Sequence, residues 1–375
     1  MRVGMFTYGM DGERMTGIAR YAVELTRAMK QLQPDLEVIL LNPYPESKHP
    51  WYREFASHPL PALKLLPAVV TLGNWQLHRA ALDLELDILH DPCGIAPFLA
   101  PRGPYKRITT VHDAVPFVYP ETQPLLTRLV FRTLVRSARR TADAILTVSN
   151  ASAKDLSKFA GLPETKIRVT PLGVTAPPAM SLREPGEALR RLQVGPRFLL
   201  YVGALHPRKN LARVVEAFRP VRAPRPDVQL VVVGPPSWGA DHVIRGLQGE
   251  AGDSSGIVLT GFVSDDDLHA LYYGAQALVF PSLYEGFGLP ALEAMSHGTA
   301  VITSNVSSLP EVVGDAALLV DPLSTREISQ AMERVLEDAS LRRQLQQAGR
   351  DRAAALSWGA TAEATLRAYR EVLHR

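Results

Sequence analysis

The stretch that decides the reading is Pro281-Ser-Leu-Tyr-Glu285-Gly286-Phe287-Gly288-Leu289-Pro290-Ala-Leu-Glu293-Ala-Met295. It follows Ala277-Leu-Val-Phe280, an apolar run of the kind that forms a buried parallel strand. Glu285, Gly286 and Gly288 then form a turn, and Pro290 suits a first helical turn because its φ is already helical. The element therefore reads as strand, glycine turn and helix start, with Glu285 in the turn and Glu293 about one turn into the helix. Amide N–H groups near Phe287, Gly288 and Leu289 would point out of the helix end, where hydrogen bonds and the dipole both attract phosphate. A carboxylate beside a phosphate is electrostatically unfavourable unless it accepts from neutral hydroxyls. The pattern thus points to a ligand that carries both phosphates and sugars. An ordinary helix with a capping acid is the alternative.

Moving outward, strands alternate with helices through the whole chain. Val3–Tyr8, Leu36–Asn42, Ile88–His90, Ile108–Val111, Ile145–Val148 and Ile167–Thr170 read as strands of a first set. Phe198–Gly203, Gln229–Gly234, Ile257–Leu259, Ala277–Phe280, Ala300–Thr303 and Ala317–Val320 read as a second. This is an α/β chain with two doubly wound, Rossmann-like domains facing one another. The expected division is residues 1–174, a proline-rich linker at 175–196, a second domain at 197–355, and a terminal segment at 356–375. The proline-rich region 43–67 is read as loops with short helices.

Bulk properties exclude several classes. The 375 residues suit two α/β domains, and 46% hydrophobic with 21% charged residues describes an ordinary globular chain. A net charge of +3 is too small to argue for nucleic acid. The single cysteine, Cys93, excludes an internal disulfide. No apolar run approaches the ~20 residues that span a bilayer, and Met1-Arg-Val-Gly-Met-Phe-Thr7 reads as a first strand rather than a signal peptide. A cytoplasmic location is expected. The helix at about 124–142 sets Arg128, Arg132 and Arg136 four apart on one face, opposite Leu125, Leu129 and Leu134 or Val135. Such a helix could lie on the inner face of an anionic membrane, or could simply present a solvated face.

Ligands of open α/β sheets bind beyond the carboxyl ends of the strands. The polar groups expected there include Gly17, His112-Asp113, Ser149, Gly203, Arg208-Lys209-Asn210, Gly234 and Gly261-Phe262-Val263. Adjacent Arg208 and Lys209 could neutralise a diphosphate leaving group. The glycines at 9, 12 and 17 punctuate the first loop without the G-x-G-x-x-G spacing of dinucleotide sites. Asp265-Asp266-Asp267 offers a D-x-D pattern, but Ser264 before it suits an N-cap and acids suit a first helical turn. No essential metal and no cofactor are expected.

Glu285-Gly-Phe-Gly-Leu-Pro-Ala-Leu-Glu293 is an E-x7-E motif, and with it the chain resembles the retaining glycosyltransferases of family 4. Thr16-Gly17-Ile-Ala-Arg20-Tyr21, Val111-His112-Asp113, Thr147-Val-Ser149, Tyr201-Val-Gly203-Ala-Leu-His-Pro-Arg208-Lys209-Asn210, Leu259-Thr-Gly261-Phe262-Val263 and Ser357-Trp358 carry the same resemblance. It implies a GT-B architecture, with a last helix that returns to the N-terminal domain. It also implies a nucleotide-sugar donor and a glycan or lipid-linked acceptor. By resemblance Glu293 binds ribose hydroxyls, Glu285 and His112-Asp113 lie at the donor sugar, and the 286–289 turn meets sugar or phosphate. Arg208 and Lys209 hold the diphosphate, Gly17 and Gly203 approach it, and Gly261–Val263 line the base pocket.

Ala204 stands where many members carry Arg, so more of the diphosphate charge falls to Arg208; Thr175 stands where many carry an Asp that makes an interdomain contact. The form of the 204–210 loop resembles members acting on mannose or related 6-deoxyhexoses, which favours a GDP-sugar. The expected reaction is front-face transfer, in which the departing phosphate accepts the acceptor's proton. Weighed against it are a nucleotide-sugar hydrolase or epimerase, a dinucleotide-dependent oxidoreductase, and a non-catalytic binding protein on the same fold.

Overall fold

The computed structural model describes residues 1–11, 16–95, 98–178, 184–236 and 256–374. Gly12 and the linker residues 179–183 lie outside these. The chain forms two compact units: Met1–Pro120 with Pro124–Gly173 and Ser357–Arg375, and Glu121–Gln123 with Val174–Leu356.

The first unit is built on a parallel sheet of seven strands: β1 (Arg2–Phe6), β2 (Glu37–Asn42), β3 (Ala56–Pro59), β4 (Ile88–Asp91), β5 (Lys106–Thr110), β6 (Ala144–Thr147) and β7 (Ile167–Val169). Their order is β3-β2-β1-β4-β5-β6-β7. Runs such as Val38-Ile-Leu-Leu41 are apolar without alternation because both faces of the sheet are covered. β3 lies inside the region read as loops and short helices. Ala-Ser-His-Pro has no apolar signal, and it becomes a strand only by pairing with β2, from Ile39 opposite Ala56 to Asn42 opposite Pro59. Proline is tolerated there because the strand is at the edge.

The helix Trp358–Leu373 belongs to this first unit. Ser357 caps it by accepting the Ala360 N–H at 3.2 Å, and its buried face (Ala362, Leu366, Tyr369) accompanies the helix Gly17–Leu32. The Tyr369 hydroxyl meets His90 Nδ1 at 2.6 Å, His90 Nε2 meets Thr110 Oγ1 at 2.8 Å, and Thr110 meets the Tyr21 hydroxyl at 3.0 Å. All four side chains are buried.

Burial, helped by His112, holds the His90 imidazole down at about 3, below its ordinary ~6.5. Between those values the unfolded chain binds a proton that the folded chain does not. The stability from His90 is therefore complete above about pH 6.5 and is lost as pH falls toward 3. Melting temperature followed from pH 7 to 4 should decline, with about 1 kcal/mol per pH unit coming from this histidine. In His90→Gln the slope should flatten; an unchanged slope would remove the assignment.

The second unit carries β8 (Phe198–Val202), β9 (Gln229–Val233), β10 (Ile257–Gly261), β11 (Ala277–Phe280), β12 (Ala300–Ser304) and β13 (Leu318–Val320), all parallel, in the order β10-β9-β8-β11-β12-β13. Its core sets Leu199, Tyr201, Leu230, Val232, Val279 and Ile302 against Val214, Phe218, Ile328 and Met332. The helix from Leu211 continues to Arg222 through Pro220, beyond the end at Phe218 that the sequence suggests. Asp265–Asp267 opens a helix running to Gly274. Ser264 Oγ accepts the Asp267 N–H at 3.2 Å, and the Asp267 carboxylate pairs with Arg191.

The helix Leu125–Thr141 corrects the expected division of its faces. Leu134, Val135 and Ala138 are buried, but Leu125 is 60% and Leu129 51% exposed, with Leu126 also at the surface. The arginine row is partly taken up by the protein. The guanidinium groups of Arg132 and Arg136 lie 5.3 and 5.2 Å from the Phe117 ring centre, and Arg128 Nη1 donates to Pro120 C=O at 3.4 Å. Cation–π attraction to Phe117 explains why the charged side turns partly inward.

Candidate active site

Parallel strands deliver their following loops to one edge of the sheet, and in the second unit these loops are cross-linked. Gly203 follows β8, and its N–H donates to Val233 C=O at 2.9 Å; the Gly234 N–H after β9 donates to Gly261 C=O at 2.8 Å. Gly203 and Gly234 have φ of +149° and +144°. A Cβ on Gly234 would sit 2.0 Å from the Gly203 oxygen, and one on Gly203 would meet the Lys209 side chain at 3.0 Å. Gly203 therefore makes room for Lys209 to lie across the strand end, and Gly234 makes room for the Gly203 peptide. Gly261 (φ +66°) has open space around it, Phe262 is 65% exposed and Val263 is buried.

The loop Ala204–Asn210 is tied to the turn after β11. Leu283 N–H donates to Arg208 C=O at 2.9 Å, and Asn210, in the left-handed region at φ +65°, donates from Nδ2 to Pro281 C=O at 2.9 Å and Pro322 C=O at 2.7 Å. Arg208 Nη1 donates to the Tyr284 carbonyl. These bonds bring Arg208 and Lys209 to Glu285. Glu285 Oε1 accepts from Arg208 Nη1 at 3.1 Å, Lys209 Nζ at 3.1 Å and Ser282 Oγ at 3.0 Å. Burial alone would raise the Glu285 carboxyl, but the two cations and their hydrogen bonds overcome it and hold the group at about 2. Lys209 is pushed below its ordinary range by burial, opposed by Glu285, and its ammonium sits 4.8 Å from the Phe280 ring centre.

The backbone of the turn is held from the loop after β12. Ser307 Oγ accepts the Glu285 N–H at 3.3 Å and donates to Glu285 C=O at 2.7 Å; Ser308 Oγ lies 2.8 Å from Glu285 O and 2.9 Å from Phe287 O. Ser307 has φ +58°. Gly286 and Phe287 are buried, and Gly288 at φ +109° is the N-cap of the helix Leu289–Ser296. A Cβ there would press to 2.6 Å from Leu309 Cδ2. Glu293, half-buried one turn along, accepts the Tyr272 hydroxyl at 3.0 Å. Of these supports, the serines at 282, 307 and 308 and Tyr272 were missed by sequence reasoning. Serine is too common in loops to signal a backbone clamp, and Tyr272 reads as a core residue of its helix.

The remaining candidates lie in the first unit. Gly17 is exposed and begins the helix Gly17–Leu32, with Thr16 accepting the Ala19 N–H at 3.2 Å. His112 follows β5, and its Nε2 lies 2.8 Å from Pro92 C=O. A carbonyl only accepts, so Nε2 carries the proton and Nδ1 of the neutral ring is an acceptor. Burial pushes the His112 pKa down, against Pro92 and Asp113, and its ring meets Tyr21 edge-on with centres 4.9 Å apart. Asp113 Oδ1 accepts the Val115 N–H at 2.9 Å, just before the short helix Val115–Val118. Among the described residues, no three His, Cys, Asp or Glu side chains gather as a metal site would need.

Residues 189–352 match the family model "Glycosyl transferases group 1" and residues 15–176 match "Glycosyltransferase Family 4". The chain belongs to the family 4 glycosyltransferases, enzymes built on two Rossmann-like domains. Within them it is similar to mannosyltransferases. It is 32% identical to the "O-antigen chain mannosyltransferase B" of Escherichia coli over 374 residues, 95% of this chain and 96% of that protein. It is 30% identical to the "MMP alpha-(1->4)-mannosyltransferase" of Mycolicibacterium hassiacum, over 100% of this chain and 99% of that one. Among solved structures, a sucrose-phosphate synthase from Thermosynechococcus elongatus superposes with a TM-score of 0.80 at 23% identity, over 100% of this chain and 99% of that one, a likeness of fold.

Proposed function

We propose that the chain transfers mannose or a related hexose from a GDP-sugar to a glycan or lipid-linked acceptor, with retention and without an essential metal. The observation that supports this best is the buried Arg208–Lys209–Glu285 cluster, packed against the turn that opens the helix at Leu289. Two cations and a helix start suit a departing diphosphate. Mannose is favoured by the names of the full-length relatives, and a glycan acceptor by the O-antigen chain in one of them. Asp265–Asp267 is spent on a helix start, which supports a reaction without a D-x-D metal.

In the proposed step the acceptor hydroxyl bonds to the anomeric carbon as the carbon–oxygen bond to the diphosphate breaks on the same face. The hydroxyl proton passes to the departing phosphate oxygen, whose negative charge Arg208 and Lys209 stabilise. Glu293 reads the ribose, while Gly203 and the 286–289 turn meet the diphosphate or sugar. Gly261, Phe262 and Val263 hold the base, Phe262 through its exposed ring. His112 offers Nδ1 as an acceptor to a sugar hydroxyl, and Asp113 fixes the loop that carries it.

Thermal shift and nucleotide release across GDP-mannose, GDP-fucose, UDP-glucose and ADP-glucose test the reading; GDP-mannose should give the largest response. Glu293→Ala should weaken donor binding about tenfold or more, whereas His112→Ala should cut turnover more than binding. Unchanged transfer in both variants would sink the site. Donor consumption independent of any acceptor would favour a hydrolase.

No helix among the described residues is long and apolar enough to cross a membrane. A peripheral contact is favoured by Leu125, Leu126 and Leu129, exposed on a helix with five arginines and no acid. Co-sedimentation should be stronger with phosphatidylglycerol vesicles than with phosphatidylcholine vesicles, and should drop in Leu126→Ser/Leu129→Ser. Equal binding to both vesicle types would remove this contact.

A further inference from the structure

The helices Asp265–Gly274 and Leu289–Ser296 are joined by a ring cluster that the reaction outlined above does not use. His297, at the end of the second helix, meets Glu293 C=O through Nδ1 at 2.7 Å. That carbonyl only accepts, so Nδ1 carries the proton, and Nε2 accepts from His269 Nδ1–H at 2.8 Å. The His297 ring stacks on His269 with centres 5.0 Å apart, tilts over Tyr272 at 4.9 Å and meets Tyr273 edge-on at 4.9 Å. From the next strand side, Thr299 Oγ1 donates to Tyr272 C=O at 2.5 Å.

Tyr272 is therefore clamped at its backbone and ring. It is 1% exposed, and its hydroxyl is delivered to Glu293 Oε2 at 3.0 Å. A phenol that donates to a carboxylate limits the rotamers of that carboxylate and keeps one oxygen pinned. A vicinal diol needs a carboxylate in one orientation to receive two hydrogen bonds at once.

We propose that Tyr272 is a positioning residue that holds Glu293 in the orientation needed to read the ribose 2′- and 3′-hydroxyls, and so makes the site select ribonucleotide over deoxyribonucleotide donors. This rests on the reading of Glu293 as the ribose ligand. Tyr272 itself touches no substrate; its effect passes through the carboxylate.

The probe is whichever of GDP, UDP and ADP raises the melting temperature most, together with its 2′-deoxy counterpart. Both are titrated calorimetrically into the full chain as wild type, Tyr272→Phe, Glu293→Gln and the double variant. Wild type should prefer the ribonucleotide, and Tyr272→Phe should reduce that preference by about threefold to tenfold while the deoxynucleotide Kd stays within about twofold. With the natural donor, the same variant should raise KM and leave kcat nearly unchanged. In the Glu293→Gln background, adding Tyr272→Phe should have no further effect on the preference.

Equal weakening of both nucleotides in Tyr272→Phe would make the tyrosine merely structural and overturn the inference. Loss of preference in Glu293→Gln, but not in Tyr272→Phe, would overturn it alone and leave the ribose reading standing. Preference intact in Glu293→Gln would remove the ribose reading and the inference together. Should Tyr272→Phe fold poorly, His297→Gln, which opens the clamp without touching the phenol, should lower the preference in the same direction. An unchanged preference in it would likewise count against the clamp.

Discussion

Glu285→Ala is expected to lower turnover by on the order of 100-fold, as removal of a positioned group at a site of developing charge does. The same change should destabilise the fold by about 3 kcal/mol. The two effects have one origin. Arg208 and Lys209 are largely buried, and both converge on Glu285 Oε1. Without the carboxylate the two cations repel each other with no anion between them, which costs far more than loss of an exposed ion pair. Nucleoside diphosphate should replace part of the missing charge. GDP at saturating concentration is therefore expected to raise the melting temperature of Glu285→Ala more than that of wild type. Glu285→Gln, which keeps an acceptor but no charge, should fall between the two in stability. Turnover unchanged in Glu285→Ala, with a GDP shift no larger than in wild type, would dismiss the cluster as a structural ion pair.

Gly173→Ala is expected to be the most damaging single-methyl substitution in the first unit. A Cβ at 173 would lie 2.1 Å from Trp358 N and 2.7 Å from Trp358 Cα, backbone atoms that no rotamer change can move. The start of the terminal helix passes directly over Gly173, and Thr361 Oγ1 fastens it there by donating to Pro171 C=O at 2.7 Å. Forcing the two segments apart should cost about 3 kcal/mol, the upper end of overpacking effects. Calorimetry should read this as a lower melting temperature, with amide exchange faster in the helix Trp358–Leu373 than elsewhere. Gly359→Ala is the control. A Cβ there meets nothing nearer than Ser357 Oγ at 3.7 Å, so it should be neutral or slightly stabilising. Equal effects of the two substitutions would refute the close-approach explanation.

Both predictions rest on features of different legibility. The strands of the two sheets other than β3 were readable because strands covered on both faces are apolar runs, such as Leu199–Val202 and Leu230–Val233. The pair of glutamates in the turn and helix after β11 was readable too. Pro290, Gly288 and a strand before them leave few conformations other than the one observed. The cation pair was found from its place after a strand, since location beyond a carboxyl edge is a topological property that strand spacing reveals.

By itself, then, the sequence determined two parallel α/β units, the glycine turn at 285–288, the loop with Arg208 and Lys209, and the capped helix start at Ser264. Each depends on residues within a few positions of one another, so local periodicity and cap chemistry suffice. Only the tertiary structure decided the rest. β3 exists because β2 offers an edge, not because Ala56–Pro59 favours extension. Leu125 and Leu129 face outward while Arg132 and Arg136 turn to Phe117, a choice that periodicity cannot make when a helix has apolar residues on more than one side.

The same holds for the supports of the two glutamates. Ser307 and Ser308 reach Glu285 across 22 and 23 residues, and Tyr272 reaches Glu293 across 21. Such contacts leave no periodic trace, because their geometry is set where neighbouring strands and helices place their ends side by side. The two carboxylates were visible in the chain; the groups that hold and charge them became visible only in the folded unit.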